Sequence, residues 1–297
     1  MSNKSDIQKT DDTVSTKVAH LAQEFQKNEF GFMHLEGVEN ARDLGGMPTH
    51  DSKVIAPTRL IRSARLERMS QSDSELLKDI GLNTIIDFRV EQEREKAPDP
   101  LELLPEASAL YVPVINPLGP GTAGVPGASL REVIGFTKGS NDEAIAFIHK
   151  LYQELFLGDM AHKGFRTFFE VLLEVGANKD GAVLWHCTSG KDRTGVAAVL
   201  LEHALGVPDT LIRADYMASN LFFTTRIERA LEDLSDHIDE NIEALVRDFF
   251  GVNEANLVGA LNVVRKEYGS LDAYMKQELG VDEDVKRELR SYYLKDV

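Results

Sequence analysis

The chain contains a single cysteine, Cys187, in the run Trp185-His186-Cys187-Thr188-Ser189-Gly190-Lys191-Asp192-Arg193-Thr194-Gly195. Cysteine, five residues, then arginine is the minimum for covalent phosphoryl transfer. The thiolate is the nucleophile, and a planar guanidinium can hold two phosphate oxygens at once. Gly190 lets the backbone turn close to an anion, and Thr188, Ser189 and Lys191 complete the candidate substrate loop. Thr194, at the start of the following helix, can donate to the thiolate when water attacks a phosphocysteine. His186 is expected to set the loop's hydrogen bonds, since no second ligand points it toward a metal. The proton donor is expected to be Asp192, in the loop itself, with Asp87 and Asp159 as alternatives. A lone cysteine is more often an inert buried thiol. The glycine-containing loop, the arginine and the apolar helix behind them weigh against that here.

Such a loop works only when its neighbours hold it rigid. Ala182-Val183-Leu184 reads as a buried strand before it. Val196 to Leu205 reads as an apolar helix after it, closed by Gly206 and Pro208. Strand, tight loop and helix N-terminus form an anion cradle, because unpaired N–H groups and the helix dipole point into it. Further strands are expected at 58–61, 82–88 and 109–115. Helices are expected from Ser72 or Asp73 to Gly81, from Asn141 to Gly158, and through Phe165, Phe168 and Leu172. This alternation predicts an α/β fold, a mainly parallel central sheet flanked by helices, with ligands beyond the C-terminal strand ends. Arg62, Asp87, Arg89, the Gly- and Pro-rich stretch 116–127 and Cys187 all follow such ends and are expected to converge. The stretch 116–127 reads as a mobile loop. Asn40-Ala41-Arg42-Asp43-Leu44-Gly45-Gly46 reads either as a turn-rich hairpin or as a brace in which Arg42 and Asp43 support the phosphate loop. A helix opened by Pro208 is expected to end near Asn220. Apolar residues from Ile227 to Phe249 then recur at helical spacing, as a packing face or a lid, before three short helices punctuated by Gly251, Gly269 and Gly280.

Composition narrows the classes. With 33 basic and 49 acidic residues the net charge is −16, against nucleic-acid binding, so a phosphate site must be a local positive island. One cysteine excludes a disulfide framework and a Cys-rich zinc site. Residues 1–29 are polar and expected to be unstructured, apart from an amphipathic turn at Val18, Leu21 and Phe25. They hold no apolar run of signal-peptide or membrane-span length, so a cytoplasmic protein without stable membrane insertion is expected. Asp192 stands where a nucleotide-binding P-loop needs Ser or Thr after Gly190-Lys191. A rhodanese-like sulfurtransferase and a phospho-ligand-binding module without turnover are the alternative readings.

The loop resembles the signature of the bacterial cysteine-dependent tyrosine phosphatases related to mycobacterial PtpB. Asn40 to Gly46, Arg62-Ser63-Ala64, Asp87-Phe88-Arg89 with Glu93 or Glu95, Asp215-Tyr216 with Asn220, and Glu267-Tyr268-Gly269-Ser270 resemble that family's further motifs, in the same order. The resemblance implies one phosphatase domain over 30–297, a cysteine-phosphatase fold, and no metal or organic cofactor. It implies phosphorylated protein or phosphoinositide substrates, covering phosphotyrosine and in some members phosphoserine and phosphothreonine. It also implies an acid at Asp192 and a helical lid within 221–262, and Lys191 resembles a loop lysine that suits highly charged head groups. Thr188-Ser189 departs from the pairs common after the family's cysteine. Secretion is not carried over.

Overall fold

Five consecutive buried residues, Ala182–His186 (β6), form the middle of a five-stranded sheet. The computed structural model describes residues 4–116, 141–178, 181–233, 243, 246–247 and 249–297. Strand order is β1 (Arg42–Asp43), β3 (Leu60–Ser63), β6, β4 (Leu82–Asp87), β5 (Ser108–Tyr111). β3, β6, β4 and β5 run parallel, and β1 closes one edge antiparallel. This is the mainly parallel sheet expected from the alternation of elements. β2 (Val54–Ile55) pairs with β7 (Leu294–Lys295) in a separate ribbon, which ties the chain's end to its beginning.

Side chains alternate across the sheet because successive strand residues point to opposite faces. Leu60, Ile86, Val183 and Trp185 enter the main core. There they meet the helices α4 (Asn141–Leu157), α5 (Asp159–Asn178) and α6 (Asp192–Leu205). Ile61, Ile85 and Leu184 enter a second core on the other face, with Leu77 of α2 (Gln71–Asp79). Ser70, not Ser72 or Asp73, caps α2: its side chain accepts from Asp73 N while the Asp73 carboxylate accepts from Ser70 N. α3 (Glu91–Lys96) follows β4 directly, and Gly206 in a left-handed conformation stops α6.

Two expectations change. The N-terminal segment is helical, α1 (Lys4–Lys27), and buries Val18 and Phe25. No glycine or proline interrupts that stretch, and the apolar spacing gives the helix a face to dock despite its polar composition. α7 (Asp209–Asp233) continues past Asn220, because nothing in 221–233 breaks a helix. The expected loop at 116–127 lies, beyond Asn116, outside the described residues. α8 (Glu254–Tyr268), α9 (Leu271–Tyr274) and α10 (Glu283–Tyr293) complete the chain, with Gly269 and Gly280 between them as expected. Among the described residues no helix is long and apolar enough to cross a membrane.

Candidate active site

Parallel pairing sets Ser63 and Asp87 abreast of His186 at the ends of three neighbouring strands. The chain leaves β6 there and turns through Cys187 to Lys191 into α6. Gly190 has φ +67, and a Cβ on it would lie 2.5 Å from the Ser63 carbonyl, so only glycine fits against the end of β3. The loop's carbonyls are turned backward. Thr188 O accepts from Arg65 N at 3.4 Å, and Gly190 O accepts from Asn40 Nδ2 at 2.9 Å and Arg62 Nη2 at 3.1 Å. Asn40 Nδ2 also reaches Ser189 O at 3.4 Å. In a trans peptide the C=O and the following N–H are antiparallel. Pulling these carbonyls back therefore turns the N–H groups of Ser189, Gly190 and Lys191 to the opposite side, as an anion cradle requires. Trp185 Nε1 donates to Thr194 O at 3.2 Å and fixes the first turn of α6.

The front of the loop carries the reactive groups. Cys187 is 2% exposed. Arg193, in the first turn of α6, pairs end-on with Glu93 of α3: Nη1 to Oε2 is 2.6 Å and Nη2 to Oε1 is 2.8 Å. Burial alone would raise the Glu93 pKa, but the Arg193 charge and hydrogen bonds hold it down to about 2. The same bonds raise the Arg193 guanidinium against its own desolvation. Thr188 Oγ1 donates to Glu93 and accepts from Arg193 Nη2 at 3.3 Å, so Thr188, Glu93 and Arg193 form one closed unit. Asp192 Oδ1 accepts from the Tyr152 hydroxyl of α4 at 2.7 Å. Thr194 Oγ1 is buried with no hydrogen-bond partner among the described residues.

Lys191 lies elsewhere than a head-group role requires. Its Nζ donates to Phe249 O at 2.6 Å and Gly251 O at 2.7 Å, and lies 3.5 Å from Asp192 Oδ2. It thus holds the backbone just before α8 against the loop. Asn220 secures the same strand of chain, accepting from Val252 N at 2.7 Å and donating to Val252 O at 2.9 Å. Between these anchors Phe223, Ile227 and Val246 form a small core of their own with Phe250.

Arg62, Asp87 and Arg89 converge on the loop but lie beneath it, which corrects the expectation that they touch substrate. Asp87 binds Arg89 through both oxygens, at 2.9–3.1 Å, and Arg89 also donates to Ala97 O and Asp99 Oδ2, each at 2.7 Å. His186 Nε2 stands 3.2 Å from Asp99, and its Nδ1 contacts Cys187 O at 3.3 Å. Burial lowers the His186 pKa, but Asp87 and Asp99 outweigh it and the net shift is upward. Asp87, Asp99 and His186 offer ligand atoms within 4.8 Å of one another, a set that sequence spacing did not reveal. The Arg89 guanidinium bonds both carboxylates and supplies the cation a metal would otherwise be. Asp87 therefore holds an arginine and is unsuited to proton transfer, and Asp159 lies exposed at the start of α5.

On the opposite flank Arg62 Nη1 donates to Asp215 Oδ2 of α7 at 2.5 Å. Arg42 Nη1 donates to Asp215 O at 3.1 Å and Nη2 to Ser219 Oγ at 3.4 Å. Burial and the Arg62 charge pull Arg42 down to about 9. Burial and Asp215 push the Glu202 carboxyl well above the usual carboxylate range. Arg42 thus braces α7, and only Arg62 reaches the loop. Asp43 braces its own turn, accepting from Gly45 N at 2.8 Å and Thr58 N at 2.7 Å. The direct brace from this motif is Asn40, held at φ +53. Its side-chain amide pattern, next to turn glycines, was the available signal. Glu93 belonged to a quoted motif, whereas Tyr152 had only the signature of a core residue.

The comparisons accord with this geometry. The family model described as the tyrosine phosphatase family matches residues 33–295. A candidate tyrosine-protein phosphatase of Cupriavidus necator is 30% identical over 259 residues, covering 86% of this chain and 86% of that protein. The triple specificity protein phosphatase PtpB of Mycobacterium tuberculosis is 26% identical over 287 residues, covering 88% and 98%. A tyrosine-protein phosphatase of Nostoc commune is 27% identical over 247 residues, covering 82% and 76%. A strand, a backward-pinned loop and a helix that bring one thiol beside one anchored guanidinium thus occur in a chain that matches the phosphatase model almost throughout: it belongs to the tyrosine phosphatase family and is a protein-tyrosine phosphatase.

Proposed function

We propose that this phosphatase works through a phosphocysteine on Cys187. The thiolate attacks phosphorus and the bond to the leaving oxygen breaks, while the Asp192 carboxyl gives its proton to that oxygen. Arg193 and the forward N–H groups of the loop hold the equatorial oxygens, where negative charge must be neutralised. Water then loses a proton to Asp192 and attacks phosphorus. The S–P bond breaks, the Cys187 thiolate returns with Thr194 as its hydroxyl donor, and inorganic phosphate leaves. The end-on pairing of Arg193 with Glu93 carries this reading. It engages both terminal nitrogens with Glu93, leaves Nε outside the pair, and fixes a permanently charged guanidinium beside the single cysteine of the chain.

One catalytic domain spans 30–297, with the lid expected within 221–262 anchored through the Asn220–Val252 and Lys191–Gly251 contacts; residues 234–242, 244–245 and 248 of that segment lie outside the described residues. Phosphotyrosine is the primary substrate, with phosphoserine, phosphothreonine and phosphoinositides also accepted. The similarity to a phosphatase named for triple specificity supports that breadth. The test is hydrolysis of p-nitrophenyl phosphate without added metal, by wild type and Cys187→Ser. Turnover should vanish in the variant while vanadate binding persists; undiminished turnover would sink the mechanism. Thiosulfate-to-cyanide sulfur transfer would favour the sulfurtransferase, and vanadate binding without turnover of any ester a binding module. A side-by-side assay on phosphopeptides and phosphoinositides ranks the substrate classes.

A further inference from the structure

Two buried tyrosines stand behind the loop with no role in the reaction just described. Tyr152 of α4 and Tyr216 of α7 are each 1% exposed, and their hydroxyls share a hydrogen bond. Their rings meet edge to face at 6.4 Å and 83°. A buried phenol needs one polar partner, and the two could satisfy each other. Yet Tyr152 also donates to Asp192 Oδ1 at 2.7 Å, out of the core and into the loop. The Asp192 side chain is 24% exposed and would otherwise sample several rotamers at the helix start. A proton donor that swings must be re-oriented in every turnover.

We infer that Tyr152, steadied by Tyr216, is the positioning residue for Asp192: it fixes Oδ1 so that Oδ2 gives and takes the proton. This rests on Asp192 being the acid. In ester cleavage the proton passes from Oδ2 to the leaving oxygen, and in hydrolysis of the phosphocysteine it returns from water to Oδ2. Tyr152 keeps its own proton throughout, as suits a phenol whose ionisation burial, Asp192 and Tyr216 all oppose. The groups facing Asp192 are Lys191 Nζ and the Arg193 guanidinium from its own loop, Tyr152 from α4 and, one hydrogen bond further, Tyr216 from α7.

The experiment compares kcat and KM on p-nitrophenyl phosphate, a good leaving group, and phenyl phosphate, a poor one, for wild type, Asp192→Asn, Tyr152→Phe and the double variant. Asp192→Asn should lose about 100-fold on phenyl phosphate and far less on p-nitrophenyl phosphate. Tyr152→Phe should lose about 10-fold on phenyl phosphate, as for one charge-assisted hydrogen bond, and at most about twofold on the other, with KM unchanged. The double variant should be no worse than Asp192→Asn alone. Equal losses on both esters in Tyr152→Phe, with Asp192→Asn still selective, would overturn the positioning role alone. So would losses that multiply in the double variant. Equal losses in Asp192→Asn itself would overturn the acid assignment, and this inference with it. If Tyr152→Phe does not fold, Tyr216→Phe decides: a loss of about threefold confined to phenyl phosphate supports the role, and an equal loss on both esters removes it.

Discussion

Arginine meets carboxylate both in front of the loop and behind it, and the two meetings differ in kind. In front, Arg193 and Glu93 are matched in number and bonded twice, with Thr188 closing the unit, and Glu93 stays ionised down to about pH 2. Behind, two guanidiniums crowd around Asp215 and a Glu202 that favours its proton, and the Nε atoms of Arg42 and Arg62 have no hydrogen-bond partner among the described residues. The front pair keeps a charge permanently available beside the thiol. The rear cluster uses charge to tie α7, β1 and β3 to the carbonyl of Gly190, in an interior that weakens every unmatched charge. The comparison teaches a division of labour: the front pair stands beside the thiol, while the rear charges hold the backbone of the loop.

Variants should split along that line. Arg193→Lys should lower kcat by about 10³-fold or more, because an ammonium cannot serve Glu93 and a phosphate with one planar fork. Vanadate binding should weaken in step. Asp215→Asn should cost about 3 kcal/mol in urea unfolding, since it leaves two buried guanidiniums short of a charge. A large kcat loss without destabilisation would erase the distinction between front and rear. Glu93→Gln should cost about 2 kcal/mol near neutral pH. The Glu93 pKa is depressed in the folded state, so this contribution is present above the unfolded value near 4.5 and lost as pH falls through about 2. Unfolding curves of wild type and variant should therefore converge in acid. Asn40→Ala should be smallest, about 1 kcal/mol, and should raise KM through loosened loop carbonyls before it lowers kcat.

Sequence reading served the elements and the loop better than their partners. Cysteine-to-arginine spacing, the glycine at 190 and the apolar helix after it are local, so the cradle was legible from its own residues. Alternating strands and helices likewise predicted the parallel sheet. Partners proved less legible because they are distant along the chain: Tyr152 lies 40 residues from Asp192, and Glu93 lies 100 from Arg193. Arg62 and Arg89 show the converse error. Arg89 does follow the end of β4, but Arg62 lies within β3, and the side it faces depends on Asp215, which only packing brings to it. Lys191 had an attractive ligand role by type and place, and the carbonyls of Phe249 and Gly251 claim it instead.

The amino-acid sequence alone determined the reaction class, because a nucleophile, a clamp and a tight anion loop are fixed by a few adjacent residues and by backbone geometry. Only the tertiary structure decided which charges stand beside the thiol and which hold the backbone of the loop. A charged side chain's role is set by the partner that compensates it, and in a dry interior that partner is chosen by the fold.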